Sequence, residues 1–333
     1  MVMNIAIVGT GSVARANYLP FLAKQPDVNL TYFSRTRSKA DECAATFGGR
    51  AVGSLQELLA GNPDAVLVLT RENDRFDAVT ALFDAGKAKR LFFEKPLVAR
   101  NGQARVCEED FLQARDLLKR AKAVGAETAM VFNYRFFDQT QLARKAVAES
   151  KLGRMTRASL LVNYACWSHC IDLLNVFGGR AAEICALGGA DYQAGGKQRS
   201  GDVAAAFRLE SGATGTILGS DGIKFDLPLY DMILCFENGQ IRFSDLDVRL
   251  DVYENASRWC QSHFLAGNFS RWDQYRASFD KSLAAYLESI RQGQPPPIPG
   301  AAGLVELQFE AALRRAIAQN RPVNVQKEFP LER

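Results

Sequence analysis

Phe92–Phe93–Glu94–Lys95–Pro96 closes a short apolar run with an acid, a base and a proline. An amine held at a strand end suits holding a substrate oxygen and passing a proton to or from it. The bland alternative for Lys95 is a structural pairing with Glu94. The second residue suited to this chemistry is His169, one of only two histidines in the chain. On a helix it shares a face with Asp172 and Leu173, and a carboxylate there can orient the ring. Asn163, Tyr164 and Trp167 are candidates to line a shallow pocket, although period-two packing in a strand explains them as well. Asn133, Tyr134 and Arg135 border the same region, with an interdomain salt bridge as the other reading of Arg135. The expected substrate-binding set is Lys95, Tyr134, Arg135, Trp167, His169 and Asp172. Cys166 and Cys170 bracket His169, but a second pair of ligands is missing, so no metal is expected.

These residues need elements to position them. Asn4–Val8 is a near-continuous apolar run, the pattern of a buried parallel strand. It enters Gly9–Thr10–Gly11–Ser12–Val13–Ala14, the G-x-G-x-x-A form of a dinucleotide turn. Gly9 permits the tight turn, Gly11 admits a pyrophosphate, and Ala14 lets the following helix pack on the strand. A strand-to-helix turn without ligand is the alternative. The second strand, Leu30–Phe33, ends at Ser34–Arg35–Thr36–Arg37. An acidic residue for a ribose 2′-hydroxyl is expected about 20 residues past the glycines. Here a hydroxyl and two guanidiniums stand instead, which suits a 2′-phosphate. The expected cofactor is therefore NADP(H) in preference to NAD(H). Gly9, Thr10, Gly11, Ser12, Val13, Ser34, Arg35, Arg37, Thr70, Glu94 and Lys95 are its expected contacts.

Helices over 38–47 and 54–60, a short strand near Ala51–Val52 and a buried strand over 65–69 follow. Thr70–Asn73 then starts the next helix, with Asn73 as its cap. Residues 90–93 form the strand before Lys95. A helix over 109–124 places Phe111, Ala114, Leu118 and Ala121 on one face, and residues 128–132 form a sixth strand. This alternation predicts a doubly wound parallel sheet. Later segments read differently. Helices over 139–149 and 169–177 and strands over 157–165, 203–209, 214–218, 232–236, 241–243 and 248–253 predict a mostly antiparallel open sheet. Asn238–Gly239 and Ser211–Gly212 are its hairpin signals. Two late helices, 275–292 and 303–319, flank Pro295–Pro297. The fold class is α/β, with a cofactor-binding domain over 1–125 and a substrate-binding, self-associating α+β domain over 126–333. The second sheet has too few helices to cover both faces, so a homodimer or dimer of dimers is expected.

Composition bounds the rest. The chain has 333 residues, 47% of them hydrophobic, and a net charge of +4. Two domains fit this length, and the scattered basic residues give no nucleic-acid footprint. No apolar run reaches the roughly 18 residues of a membrane span. The N-terminus enters a strand pattern at once, which leads us to expect no signal peptide. Seven cysteines, an odd number without a tight repeat, fit reduced thiols and a cytoplasmic protein.

With these residues laid out, the chain resembles the glucose–fructose oxidoreductase/inositol dehydrogenase/rhizopine catabolism (Gfo/Idh/MocA) family over nearly its whole length. The resemblance rests on Gly9–Thr10–Gly11, Glu94–Lys95–Pro96 and Phe132–Asn133–Tyr134–Arg135–Phe136. Lys151–Leu152–Gly153, His169 with Asp172, and Arg321–Pro322–Val323 complete it. It implies an N-terminal Rossmann domain, a dimerising C-terminal sheet and a cis Lys95–Pro96 bond. It also implies hydride transfer to or from a hydroxyl carbon of a sugar, polyol or similar substrate. Lys95 would hold or protonate the reacting oxygen, and His169 would act as acid or base. Two departures stand out. Ala165 occupies the place of the family's aspartate four residues before the histidine. Arg75–Phe76 stand near the place of a family histidine after the fourth strand. A second expectation follows from them: a dinucleotide-binding regulator or sensor of the same fold that has lost catalysis.

Overall fold

The computed structural model describes residues 2–150 and 152–332. They form two compact units. The first comprises residues up to Gly102 with Glu109–Phe132 and Phe279–Leu304; the second comprises Gln103–Glu108, Asn133–Ser278 and the residues from Val305 onward.

The first unit is built on a six-stranded parallel sheet. Its strands are β1 (Met3–Val8), β2 (Val28–Phe33), β3 (Arg50–Ala51), β4 (Ala65–Val68), β5 (Arg90–Phe93) and β6 (Glu127–Met130), in the order β3-β2-β1-β4-β5-β6. All four residues of β4 are buried, as expected where both faces of a parallel sheet are covered. The order reverses between β1 and β4, and in such sheets ligands sit beyond the carboxyl ends of the strands at that point.

Between the strands run α1 (Leu19–Leu22), α2 (Arg37–Phe47), α3 (Leu55–Ala60), α4 (Arg75–Ala85) and α5 (Glu108–Ala123). The helix expected from Val13 to Leu22 contains a π-turn over Ala14–Tyr18. Pro20 supplies the reason: it has no N–H for the Ala16 carbonyl, and its ring would crowd that carbonyl in a regular α-helix. Ser54 caps α3 by accepting from the Glu57 N–H at 3.0 Å, and Glu57 reaches back to the Gly53 N–H at 2.8 Å.

Three sequence expectations need correction here. Strand β6 pairs with β5, so the first sheet runs past the boundary set at residue 125. Asp74, not Asn73, is the N-cap of α4. On α5 the buried stripe is Asp110, Phe111, Ala114, Leu117 and Ala121, so Leu117 takes the place given to Leu118.

The second unit contains α6 (Asp138–Glu149), β7 (Met155–Asn163), α7 (Trp167–Gly178) and β8 (Ala181–Gly188). A separate hairpin of β9 (Tyr192–Ala194) and β10 (Lys197–Arg199) follows. Next come β11 (Val203–Leu209), β12 (Thr214–Ser220), β13 (Tyr230–Phe236), β14 (Gly239–Ser244), β15 (Arg249–Glu254) and β16 (Gln261–Phe264). Helix α8 (Arg271–Gln292) leads through the proline-rich segment to α9 (Ala301–Gln319), β17 (Val323–Asn324) and α10 (Val325–Glu328). The sheet order is β16-β15-β14-β13-β7-β12-β11-β8-β17, antiparallel except for β7 with β12. On β11 the odd-numbered residues 203–209 are buried and the even-numbered ones exposed. Phe207 meets Phe309 of α9 edge-on at 5.7 Å. The opposite face leaves Leu161, Leu187 and Leu218 exposed.

Both hairpins form where the turn residues lie, for different reasons. Gly212 sits at φ 88°, which favours glycine. Gly239 is the first residue of β14, and a Cβ there would lie 2.2 Å from the Tyr253 carbonyl. The Asn238–Gly239 pair therefore marks a close backbone approach, with Glu237–Asn238 as the two-residue loop. In the family-like Lys151–Leu152–Gly153 stretch, Lys151 lies outside the described residues. The N-terminus of α6 has no local side-chain cap. Asp247 supplies one from a distance, accepting the N–H groups of Asp138 and Gln139 at 3.0 and 2.7 Å. A cap of this kind contributes about 1–2 kcal/mol and fixes where α6 begins, just past Tyr134 and Arg135.

Candidate functional site

In the first unit, the turn after β1 has the shape that a dinucleotide needs. Gly9 has φ 98°, and a Cβ there would meet the Thr70 nitrogen at 2.7 Å. Its N–H donates to the Phe33 carbonyl at 3.0 Å. A Cβ on Gly11, by contrast, would meet no atom within 4 Å. Gly9 is thus required by the fold, whereas Gly11 borders open space, the room a pyrophosphate takes beside backbone N–H groups. Ser12 and Val13 are exposed at the same turn, and Ala14 is fully buried. The Thr70 hydroxyl is buried without a hydrogen-bond partner among the described residues. These features fit a dinucleotide.

The basic residues after β2 are already engaged. Arg35 donates to Asp74 at 2.8 Å, and Arg37 donates to Asp41 at 2.9 Å and to the Ala51 carbonyl at 3.3 Å. Their side chains stay 80% and 56% exposed, so both guanidiniums are accessible to a ligand. Ser34 is half-buried beside them. Asp74 and Arg15 were not singled out in the sequence. Arg15 ties the turn to α2, donating to the Thr10 carbonyl at 3.3 Å and to Glu42 at 2.6 Å.

Lys95 lies just beyond β5, and the Lys95–Pro96 bond is cis, as the resemblance implies. Glu94, 6% exposed, receives the Tyr18 hydroxyl at 2.6 Å and the Lys95 backbone N–H at 2.8 Å. Glu94 thus acts on the lysine's backbone, and its two carboxylate oxygens are occupied by these donors. From the other side Arg75 donates to the carbonyls of Pro96, Leu97 and Thr70. Arg75 is 1% exposed. The only trace of it in the sequence was its place near the missing family histidine.

In the second unit, the structure brings four of the expected residues into two pairs. Tyr134 stacks on His169 with ring centroids 3.8 Å apart, and its hydroxyl donates to the Cys166 sulfur at 3.2 Å. Burial pushes the Tyr134 phenol well up, so it stays protonated. Arg135 holds Asp172 through two bonds of 2.7 and 2.6 Å. Burial pushes the Asp172 carboxyl up and Arg135 pulls it back. The expectation that Asp172 orients His169 is therefore replaced: both of its oxygens receive Arg135, and the histidine's neighbour is an aromatic face. That ion pair also lies within one unit, not across two.

Trp167 is a core residue at 1% exposure, edge-on to Tyr164 at 5.6 Å; a Cβ on Gly219 would strike both rings at 2.6 Å. Asn163 is spent on structure, accepting from the Ala165 N–H at 2.7 Å and donating to the Ile223 carbonyl at 2.8 Å. Asn133 donates to Ser278 at 2.7 Å. Lys95 belongs to the first unit and His169 to the second.

Residues 3–132 match the family model GFO_IDH_MocA, described as an oxidoreductase family with an NAD-binding Rossmann fold. Over those residues the chain is similar to the Gfo/Idh/MocA oxidoreductases. An uncharacterized oxidoreductase, YhhX of Escherichia coli (strain K12), is 25% identical over 167 residues; the match spans 49% of this chain and 45% of that protein. Levoglucosan dehydrogenase, solved with NADH and levoglucosan, superposes with a TM-score of 0.78 at 16% identity, covering 98% of this chain and 100% of that one. The WlbA dehydrogenase of Bordetella pertussis, solved with NADH and UDP-GlcNAcA, gives 0.77 at 18% identity over 97% of each chain. At these identities the two solved structures share the fold.

The glycine geometry gives the first prediction. Gly11→Ala is expected to leave thermal stability within about 0.5 kcal/mol of wild type but to weaken NAD(P)H by at least about tenfold. Gly9→Ala is expected to cost at least about 1–3 kcal/mol of stability, from strain and the Thr70 clash. Fluorescence titration and thermal unfolding read both, and full affinity in folded Gly11→Ala contradicts the assignment.

Proposed function

We propose that the protein is an NADP(H)-preferring oxidoreductase that transfers hydride between the nicotinamide and a hydroxyl or carbonyl carbon of a sugar, polyol or related small molecule. The observation that carries this reading is Lys95, pinned through its own backbone by Glu94 at the carboxyl end of β5, in the same sheet as the dinucleotide turn. The cofactor supplies or accepts the hydride. The chain's part is to hold the substrate oxygen within hydrogen-bond reach of the Lys95 amine and to move a proton there. His169 is the second acid or base, with Tyr134 stacked on its ring, and Arg135, paired with Asp172, supports that wall. The relatives solved with a sugar or a sugar nucleotide point to the same substrate class. The scattered, odd-numbered cysteines support a reducing compartment such as the cytoplasm.

A regulator or sensor of the same fold is the second reading. Ala165 in the place of an acid, and Asp172 engaged by Arg135, favour it. A panel of sugars, polyols and keto-sugars scanned for NADPH oxidation or NADP+ reduction separates the two.

Cofactor choice rests on Ser34, Arg35 and Arg37 and on the absence of a carboxylate among residues 34–37. NADPH is expected to bind about ten- to a hundredfold more tightly than NADH, the worth of one charge-assisted contact. Equal affinities in parallel titrations overturn this, and the NADH complexes of the relatives make it a discriminating test.

Self-association is proposed through the open sheet face bearing Leu161, Leu187 and Leu218, which are 47%, 69% and 48% exposed. A hollow of about 560 Å³ lies on the same face, lined by Arg157, Ser159, Glu183 and Arg208 among others. Light scattering at micromolar concentration is expected to give a dimer or tetramer, and Leu218→Glu a smaller species. A wild-type monomer counts against the proposal.

For the chemistry, Lys95→Met nearly keeps side-chain length and removes the charge. It is expected to leave NADPH binding within about threefold and to lower kcat at least about a hundredfold, the low end for a lost acid–base group. His169→Ala is expected to lower kcat about tenfold, because Ala165 stands where the family's acidic partner would be and Lys95 carries the proton alone. Retained turnover in Lys95→Met contradicts the mechanism, and a larger loss in His169→Ala exchanges the two roles.

A further inference from the structure

Arg75 opens α4 with 1% of its surface exposed, and all of its hydrogen bonds go to main-chain carbonyls. One terminal nitrogen donates to Thr70 at 2.6 Å. The other donates to Leu97 at 3.3 Å and to Pro96. Its Nε is buried with no hydrogen-bond partner among the described residues. An arginine keeps its charge in such a place, so a whole guanidinium is spent on three carbonyls. Burial draws its pKa down, and the carboxylates of Glu94 and Glu72 draw it back up.

The three carbonyls belong to two segments that matter together. Thr70 ends the stretch after β4, and a Cβ on Gly9 would touch it. Pro96 and Leu97 follow Lys95 directly. Glu94 takes the Lys95 N–H, and Arg75 takes the next two carbonyls, so side chains of opposite charge hold the Lys95 segment at both ends. The main chain adds one link between the same two segments, from the Ala99 N–H to the Glu72 carbonyl at 3.2 Å.

We infer that Arg75 is a positioning residue for Lys95, fixing the loop after β5 to the turn after β4 so that the lysine amine is held in place over the cofactor cleft. The role is exercised through the backbone, and it rests on the reading of Lys95 as the proton-holding group. Loss of the clamp lets the amine stray by about an ångström or less, which lowers rate far more than affinity.

The test uses the full-length protein with NADPH as the probe ligand and Arg75→Met and Arg75→Lys as the variants. In Arg75→Met, amide hydrogen exchange over residues 94–99 is expected to quicken at least about tenfold, while the NADPH Kd stays within about threefold. On a substrate that the wild type turns over, kcat is expected to fall at least about tenfold with KM within about threefold. Arg75→Lys, whose ammonium reaches fewer carbonyls, is expected to recover part of both losses, and it carries the test alone if the methionine variant does not fold. Unchanged exchange over 94–99 in a folded variant overturns the inference, as does a loss confined to NADPH affinity. A wild type that oxidises nothing in the panel overturns the hydride-transfer reading instead, and the exchange measurement still decides the clamp.

Discussion

The carboxylate of Glu94 is the constraint from which the first unit's chemistry follows. A carboxylate 6% exposed must find donors or lose its charge, and this one finds two. The Tyr18 hydroxyl comes from the helical segment after the dinucleotide turn, and the Lys95 N–H comes from the loop after β5. One side chain therefore couples the element that would hold the pyrophosphate to the residue that would meet the substrate. The Tyr18 ring packs edge-on against Phe92 at 6.1 Å and Phe279 at 5.3 Å, so the hydroxyl cannot swing away without opening the core. Arg75 completes the arrangement with charge of the opposite sign.

The second unit solves its own positioning problem in the same way, by satisfying buried polar groups at a distance in sequence. Asp247, in the left-handed region at φ 60°, caps α6 and so sets the end of the Asn133–Phe136 turn that carries Tyr134 and Arg135. Gln139 on the same helix donates to the Tyr230 hydroxyl at 2.6 Å, and Tyr230 stacks on Tyr134 at 5.7 Å. The His169 ring is then one layer in an aromatic stack with Tyr134 and Tyr230.

The sequence was most legible where one local pattern decides the outcome. The runs over 65–69 and 90–93 are buried strands, Ser54 with Glu57 is a helix start, and Gly9 and Gly11 form the turn, because each rests on residues a few positions apart. What stayed hidden depends on partners far along the chain. No local signal separates Arg35 free for a phosphate from Arg35 on Asp74, 39 residues away. None shows that Asp172 belongs to Arg135, 37 residues back, or that Trp167 fills the core beside Gly219. The π-turn could have been read from Pro20. Asn238–Gly239 carried the right position for a different physical reason, close approach of Tyr253 in place of a positive φ.

The central claim is that the turn after β1 and the loop after β5 form one cleft, with Lys95 at the reacting end of the cofactor. A crystal structure of the protein with NADPH bound tests it most directly. The account predicts the pyrophosphate on the backbone N–H groups of Thr10–Val13, the adenosine phosphate near Ser34 and Arg35, and the Lys95 amine beside the nicotinamide ring. A dinucleotide seated away from Gly11, or a nicotinamide ring remote from Lys95, would contradict it.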